Sequence, residues 1–264
     1  MCCRLAEFNV HAAVDSVGSQ PGGGRNPPAA TRLTGKIVRY ILVGMLPSGR
    51  RRPSGKLKAR DPERTREALL RAAFGEIYRS GYRGSDVETI LRAAGVTKGA
   101  MYHHFDSKEA LGYAVVDEVV GGIMREKWQV PLRQARDPLD ALIGVVRSTS
   151  LRPEHIRGGC PLNNLSQEMS PLDEGFRKRT AKVFNDWHRA VAAALRGGKL
   201  RGSVRKDVNA DEAATFLIAT YEGYMSLAKN SQEARKLRAG QKALVQYLET
   251  LRPRRGGAGM ERHG

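Results

Sequence analysis

Ser85-Asp86-Val87-Glu88-Thr89-Ile90-Leu91-Arg92-Ala93-Ala94-Gly95-Val96-Thr97-Lys98-Gly99-Ala100-Met101-Tyr102-His103-His104-Phe105 reads as two short helices joined by a tight turn. Glu88 follows Ser85 by three residues, the spacing of a capping box in which each side chain satisfies the other's free backbone N–H. Val87, Ile90, Leu91 and Ala94 make the inner face. Gly95 can take the positive φ that such a turn requires. Thr97 suits the N-cap of the next helix, which runs through Phe105. Upstream, Leu69, Leu70, Ala73, Phe74 and Ile77 form one apolar stripe at helical spacing from Pro62 onward, and Gly81 ends that helix. Downstream, Asp106 with Glu109 makes a second capping box and opens a fourth helix through at least Val120. Four helices of these lengths predict a helix-turn-helix bundle over residues 60–120, with the motif itself at about 86–105.

Farther along, Gly121-Gly122 marks a break, and residues 121–252 are expected to form a larger helical domain. Its helices are predicted at Asp137–Leu151, at Leu162–Met169 after a loop from Arg152 to Gly159, and at Pro171–Leu195, stopped by Gly197-Gly198. Asn209 caps the next, through about Lys229, and Gln232–Leu251 is the last. Strand signals are scarce, so the fold class is all-α. Residues 253–264 form a Gly- and Arg-rich tail expected to be disordered.

Charge locates the chemistry less directly than its total suggests. The chain of 264 residues carries a net charge of +18, which points to an anionic partner. Residues 1–60 hold 11 basic and 2 acidic side chains, whereas residues 61–118 hold 8 basic and 10 acidic. The predicted DNA-reading bundle is therefore slightly acidic, and its affinity must come from a few placed groups. Residues 1–58 lack helical periodicity and are expected to be disordered. They read either as a basic arm that adds phosphate attraction or as sequence ahead of a translation start at Met45. Three cysteines give neither a disulfide framework nor zinc spacing, consistent with a reducing cytoplasm. No apolar run approaches the ~18 residues of a membrane helix. Neither metal nor cofactor is expected. An enzyme reading fails for want of a phosphate cradle, a nucleophile elbow or a metal-spaced His/Glu pair.

The string from Gly81 to Ile90, then Ala93 to Phe105, then Ser107-Lys108-Glu109-Ala110-Leu111, closely resembles the TetR family of regulators. The resemblance implies a homodimer whose third helices enter the major groove of an operator, and a second domain that binds a small-molecule effector and dimerises. It implies DNA contacts at Ser85, Thr97, Lys98, Gly99, Ala100, Tyr102, His103 and Lys108, the last as a phosphate contact. Met101 is placed either inside or against a thymine methyl. Pairing about a two-fold axis fits a reader with one motif per chain, with recognition helices ~34–36 Å apart. Phe216, Leu217, Thr220, Tyr221 and Tyr224, with Leu244, Tyr247, Leu248 and Leu251, are the expected dimer stripes.

Effector-pocket candidates are Trp128, Cys160, Phe184, Trp187, His188, Tyr221 and Met225, residues that suit an apolar pocket and a filled core alike. Cys160, ahead of Pro161, stands at an N-cap position, where a helix dipole would lower its pKa. The function expected is a ligand-responsive repressor on a palindromic operator. The alternative is a non-specific or architectural DNA-binding protein driven by the basic flanks.

Overall fold

The structure, a computed structural model, describes residues 61–253. The expectations for residues 1–58 and for the tail beyond Pro253 lie outside them. All regular elements among the described residues are helices.

Asp61 caps α1 (Pro62–Gly84), its carboxylate accepting the Arg64 N–H at 3.1 Å. Pro62 fills the first turn, where a missing N–H costs nothing. The helix is interrupted where expected, at Gly81 (φ 77°, ψ 166°). The cap of α2 (Val87–Ala94) corrects the expectation: Asp86, not Ser85, accepts the Thr89 N–H, at 2.8 Å. Ser85 instead turns its hydroxyl back onto the Tyr82 carbonyl at 2.6 Å and is buried. Gly95 closes the turn in the left-handed region (φ 69°, ψ 32°). Thr97 then caps α3 (Lys98–His104) through the Ala100 N–H at 3.2 Å, as expected. The second capping box is also corrected. Ser107 caps the fourth helix through the Ala110 N–H at 3.0 Å, and Glu109 accepts from the Tyr113 hydroxyl.

That fourth helix, α4, begins as Lys108–Ala114 and continues through wider π turns at Val115–Val120 and Arg125–Gln129 and α turns at Gly121–Met124 and Val130–Gln134. The break expected at Gly121-Gly122 is absent, so the expected boundary at 120/121 falls inside one helix. A helix-interior glycine costs about 1 kcal/mol relative to alanine. Buried Val119, Val120, Ile123 and Met124 on either side offset it.

The remaining helices are α5 (Pro138–Arg147), α6 (Pro153–Gly158), α7 (Pro161–Met169), α8 (Glu174–Arg201), α9 (Ala210–Ser231) and α10 (Ala234–Thr250). α6 replaces the predicted loop, because Pro153 at its first turn pre-sets the helical φ. α8 runs through the predicted stop at Gly197-Gly198 to Gly202 (φ 77°). Gly198 serves close packing: a Cβ there would lie 2.6 Å from Val204 and 2.7 Å from Pro138. Asn209 caps α9 as predicted. α9 packs against α8 and α10, α5 covers α10, and α7 lies between α1 and α8.

The dimer stripes need revision. Leu217, Tyr221, Tyr224, Leu244, Leu248 and Leu251 are buried within this one chain. What faces outward on α9 is Phe216, Ala219, Gly223 and Leu227, with Phe216 47% and Leu227 60% exposed. Among the described residues no helix is long and apolar enough to cross a membrane.

Candidate nucleic-acid interface and effector site

The reading end is built by burying one side of α3 and leaving the other free. Met101 and Phe105 plug it into the bundle core with Leu69, Ile90 and Leu111. Met101 is wholly buried, so of its two expected places it takes the inner one. Thr97, Lys98, Gly99, Tyr102 and His103 are exposed together, Tyr102 at 44%, and Ala100 is half-buried beside them. His104 is half-buried, and burial holds its imidazole below the usual range. Asp86, hydrogen-bonded by the Thr89 hydroxyl and N–H, is held below the usual carboxylate range.

Two of the implied DNA contacts sit differently from the rest. The Ser85 side chain is buried with its hydroxyl committed, so it offers no donor at the surface. Lys108 donates to the Ser85 carbonyl at 2.7 Å and lies 4.9 Å from the Tyr82 ring centroid. It thereby ties α4 to the start of α2, with ammonium donors to spare.

The bundle is joined to the rest of the chain by directed bonds. Glu168 on α7 accepts the N–H groups of both Tyr82 and Arg83 at 2.8 Å, just past the Gly81 break. Tyr78 on α1 donates to the Gly159 carbonyl at 2.8 Å, one residue before Cys160. Tyr82 and Tyr113 both pack on Phe176 of α8, at 4.5 and 4.9 Å between centroids. A cleft of about 770 Å³ between α1, α7 and α9 is lined by Phe74, Tyr78, Asn163, Asn164 and Lys229 among others. Its polar walls are partly satisfied among themselves, with Lys229 on the Asn164 amide oxygen at 2.7 Å and Asn164 on the Gly158 carbonyl at 2.8 Å.

The interior of the larger helical region differs. Trp128, Trp187 and Tyr221, three of the effector-pocket candidates, are fully buried and close together. Their centroids are 4.6 Å (Trp128–Trp187), 4.9 Å (Trp128–Tyr221) and 5.8 Å (Trp187–Tyr221) apart. Phe184 stacks on Trp187 at 6.3 Å from the edge of this group. Cys160 is buried beside it. His188 is elsewhere, its Nε2 on the Asp211 carbonyl and the Thr215 hydroxyl at 3.1 Å. Met225 is half-buried against the core. The expectation of an acidified Cys160 is overturned. Burial and the neighbouring Glu222 carboxylate push the thiol well above its ordinary value, outweighing the Asn163 N–H in the first turn of α7, which pulls the other way.

Sequence reading missed Lys127, Thr149 and Glu222 in this interior and gave Tyr224, buried beside them, to a dimer stripe. Lys127 donates to the Tyr221 hydroxyl, which also bonds Thr149 Oγ1 at 3.2 Å. Burial pushes the Lys127 ammonium down and the Glu222 carboxyl up to about 7. The signal was available in part, since Glu222 interrupts the inward stripe of α9 between Leu217, Tyr221 and Tyr224.

Comparison with known proteins agrees with this architecture in both parts. The family model for bacterial regulatory proteins of the tetR family matches residues 69–115, and that for the tetracyclin repressor-like C-terminal domain matches residues 135–244. The transcriptional repressor DhaR of a Mycobacterium species (strain GP1) is 33% identical over 172 residues, 62% of this chain and 81% of that protein. The transcriptional regulator AcuR of Cereibacter sphaeroides is 31% identical over 182 residues, 68% of this chain and 82% of that protein. Among solved structures, a TetR transcriptional regulator from Chloroflexus aurantiacus superposes with a TM-score of 0.65 at 29% identity, covering 72% of this chain and 97% of the other. A regulatory protein TetR from Rhodobacter sphaeroides gives 0.62 at 26%, covering 69% and 98%. With a helix-turn-helix bundle at one end, a helical body at the other, and both parts matched, this chain belongs to the TetR family of transcriptional regulators, which bind DNA sequence-specifically.

Proposed function

We propose that the chain is a homodimeric, effector-responsive repressor that holds a short palindromic operator, with α3 of each subunit in the major groove. The observation that supports this most is the two-sidedness of α3. Met101 anchors it in the core, while Thr97, Lys98, Gly99, Tyr102 and His103 stand out together on its free side. Lys98 and Tyr102 are placed to contact phosphates, and Thr97 and His103 to reach base edges or phosphates in the groove. Ala100 borders this face. Lys108 adds a phosphate contact only through donors not spent on Ser85. Repression follows from occupancy of a promoter and matches DhaR, a transcriptional repressor.

The outward stripe of α9, Phe216 through Leu227, is the proposed two-fold interface. Its residues recur at i, i+3, i+7 and i+11 and would pair with the same stripe on a second copy. In this proposal the helix-turn-helix bundle, through the first part of α4, serves DNA, and the helices from the later part of α4 onward serve effector and partner. It assigns the chain no catalysis and places it in the cytoplasm, with the DNA it reads.

Footprinting on genomic fragments tests the proposal. A protected palindrome of two half-sites about one helical turn apart is expected. Coating of DNA without register would overturn it in favour of a non-specific binder.

A further inference from the structure

The interior between α4, α7, α8 and α9 holds polar groups that the fold leaves without partners. Glu222 is 8% exposed, and its carboxylate faces the Cys160 thiol and the Lys127 ammonium with no hydrogen bond from a nitrogen or oxygen donor among the described residues. The indole N–H groups of the wholly buried Trp128 and Trp187 are unmatched there too, and the hydroxyl of buried Tyr224 has only Thr149 beside it. Stranding a buried neutral donor or acceptor costs roughly 1–3 kcal/mol, and a charged group more. Several in one cluster call for a partner that the described residues do not supply. The Lys127 ammonium stands at the same place, 4.9 Å from the Tyr221 ring centroid and 5.8 Å from that of Trp128.

We propose that this cluster is the effector site assumed above and that its ligand is a compact organic monocarboxylate, paired by Lys127 and hydrogen-bonded by the Trp128 and Trp187 indoles and the Tyr224 hydroxyl. The chemistry follows from the inventory. Two indole N–H groups, a phenol and an ammonium are donors, and a carboxylate offers two oxygens with about four lone-pair sites. One ammonium matches one negative charge. The three close-packed rings favour a small guest.

Glu222 decides the sign of the pH dependence. As a carboxylate it would repel the ligand, but burial pushes it up to about 7. Protonated, it becomes one more donor, so binding takes up a proton and strengthens as pH falls from 8 to 6. The titratable groups around Glu222 and its partner Lys127 are Cys160 at the start of α7, Tyr78 on α1, His155 on α6, and Tyr221 and Tyr224 on α9. Burial holds Cys160 and the three tyrosines protonated over this range, and His155 is held below its usual value.

The test uses the protein's own reporters, because Trp128 and Trp187 are its two tryptophans. Intrinsic fluorescence of the full chain is titrated with acetate, butyrate and benzoate, and with butyramide and benzamide as uncharged counterparts. At least one carboxylate should give a saturable change, with its amide at least tenfold weaker. Lys127→Met should abolish the change and Lys127→Arg, which keeps the charge and guards against misfolding, should retain it. Glu222→Gln should bind with an affinity flat between pH 6 and 8.

No response to any carboxylate, equal response to the amide, or undiminished binding by Lys127→Met overturns the proposal. pH dependence surviving in Glu222→Gln overturns the assignment of the proton. Operator release measured in parallel separates this from the broader reading. Fluorescence binding without release would overturn the effector response and leave the site. Failure to bind any operator would sink the regulator and leave it too.

Discussion

The DNA-reading bundle and the interior of the effector region treat polar groups in opposite ways. At the start of each of the four helices α1 to α4, a short side chain accepts a backbone N–H: Asp61, Asp86, Thr97 and Ser107. Arg66 adds a charged tie from α1 to Glu118 on α4 and lies 5.2 Å from the Phe105 ring centroid. In the other interior, the Glu222 carboxylate and the Trp128 and Trp187 indoles take no hydrogen bond from a nitrogen or oxygen group among the described residues. The difference is that the helix starts of the bundle are met from within the chain, while the interior keeps donors and an acceptor unmet. A reading head must hold its geometry whether or not ligand is present. On the proposed reading, an interior that senses a ligand must gain something when it arrives, and unmet hydrogen-bonding capacity is that gain.

Four substitutions would break or sharpen this contrast, taken from the largest effect to the smallest. Met101→Ala empties a fully buried site that seats α3 and should cost about 2–5 kcal/mol. Thermal unfolding followed by circular dichroism checks it, and a change below about 1 kcal/mol would show that the bundle core is not what holds α3.

Glu222→Gln should do the reverse in the other region. A carboxyl that titrates near 4.5 unfolded and about 7 folded makes stability fall as pH rises through that window and level off above it. The variant should therefore gain on the order of 2–3 kcal/mol at pH 8 and little at pH 4, read from urea midpoints at the two pH values. Equal effects at both would mean the carboxyl is not held protonated.

Glu168→Gln removes one of the two acceptor oxygens that hold the Tyr82 and Arg83 N–H groups, for about 1–2 kcal/mol. Hydrogen exchange at those two amides should quicken, while amides deep in α9 stay protected. Lys98→Ala touches only the exposed face. It should weaken operator binding roughly tenfold and lower the salt slope by about one unit, with the unfolding midpoint unmoved. An unchanged slope would remove Lys98 from the phosphate contacts.

How much of this was legible in the sequence follows the same divide. The turn at Gly95, the break at Gly81 and the Thr97 cap are local events, decided by residues within four positions of one another. Near misses were one residue wide: Asp86 displaced Ser85 and Ser107 displaced Asp106, because two good capping residues stood side by side, and Ser85 turned its hydroxyl back onto Tyr82 instead. Glycine pairs misled for a different reason. Gly121-Gly122 and Gly197-Gly198 read as stops, yet Gly198 is there because Val204 and Pro138 come too close for a side chain. The Pro138 contact joins residues sixty positions apart, which no short window of sequence contains. The interior cluster was half visible. Its aromatic members announced themselves by type, whereas nothing local marks Lys127 or Glu222, which only the packing of α4 on α8 and α9 turns inward.

The unbroken course of α4 has a mechanical consequence. Lys108, against the reading head, and Lys127, against the sensing interior, are nineteen residues apart on one helix, a span of about 28 Å at 1.5 Å per residue. A tilt of roughly 3° about one end displaces the other by about 1.5 Å over that length. That is half a hydrogen-bond length, enough to take a side chain off a phosphate. Along this lever the turns widen at Val115–Val120 and Arg125–Gln129, where the helix departs from α geometry. One widened stretch therefore lies toward each working end, with the glycine pair between them.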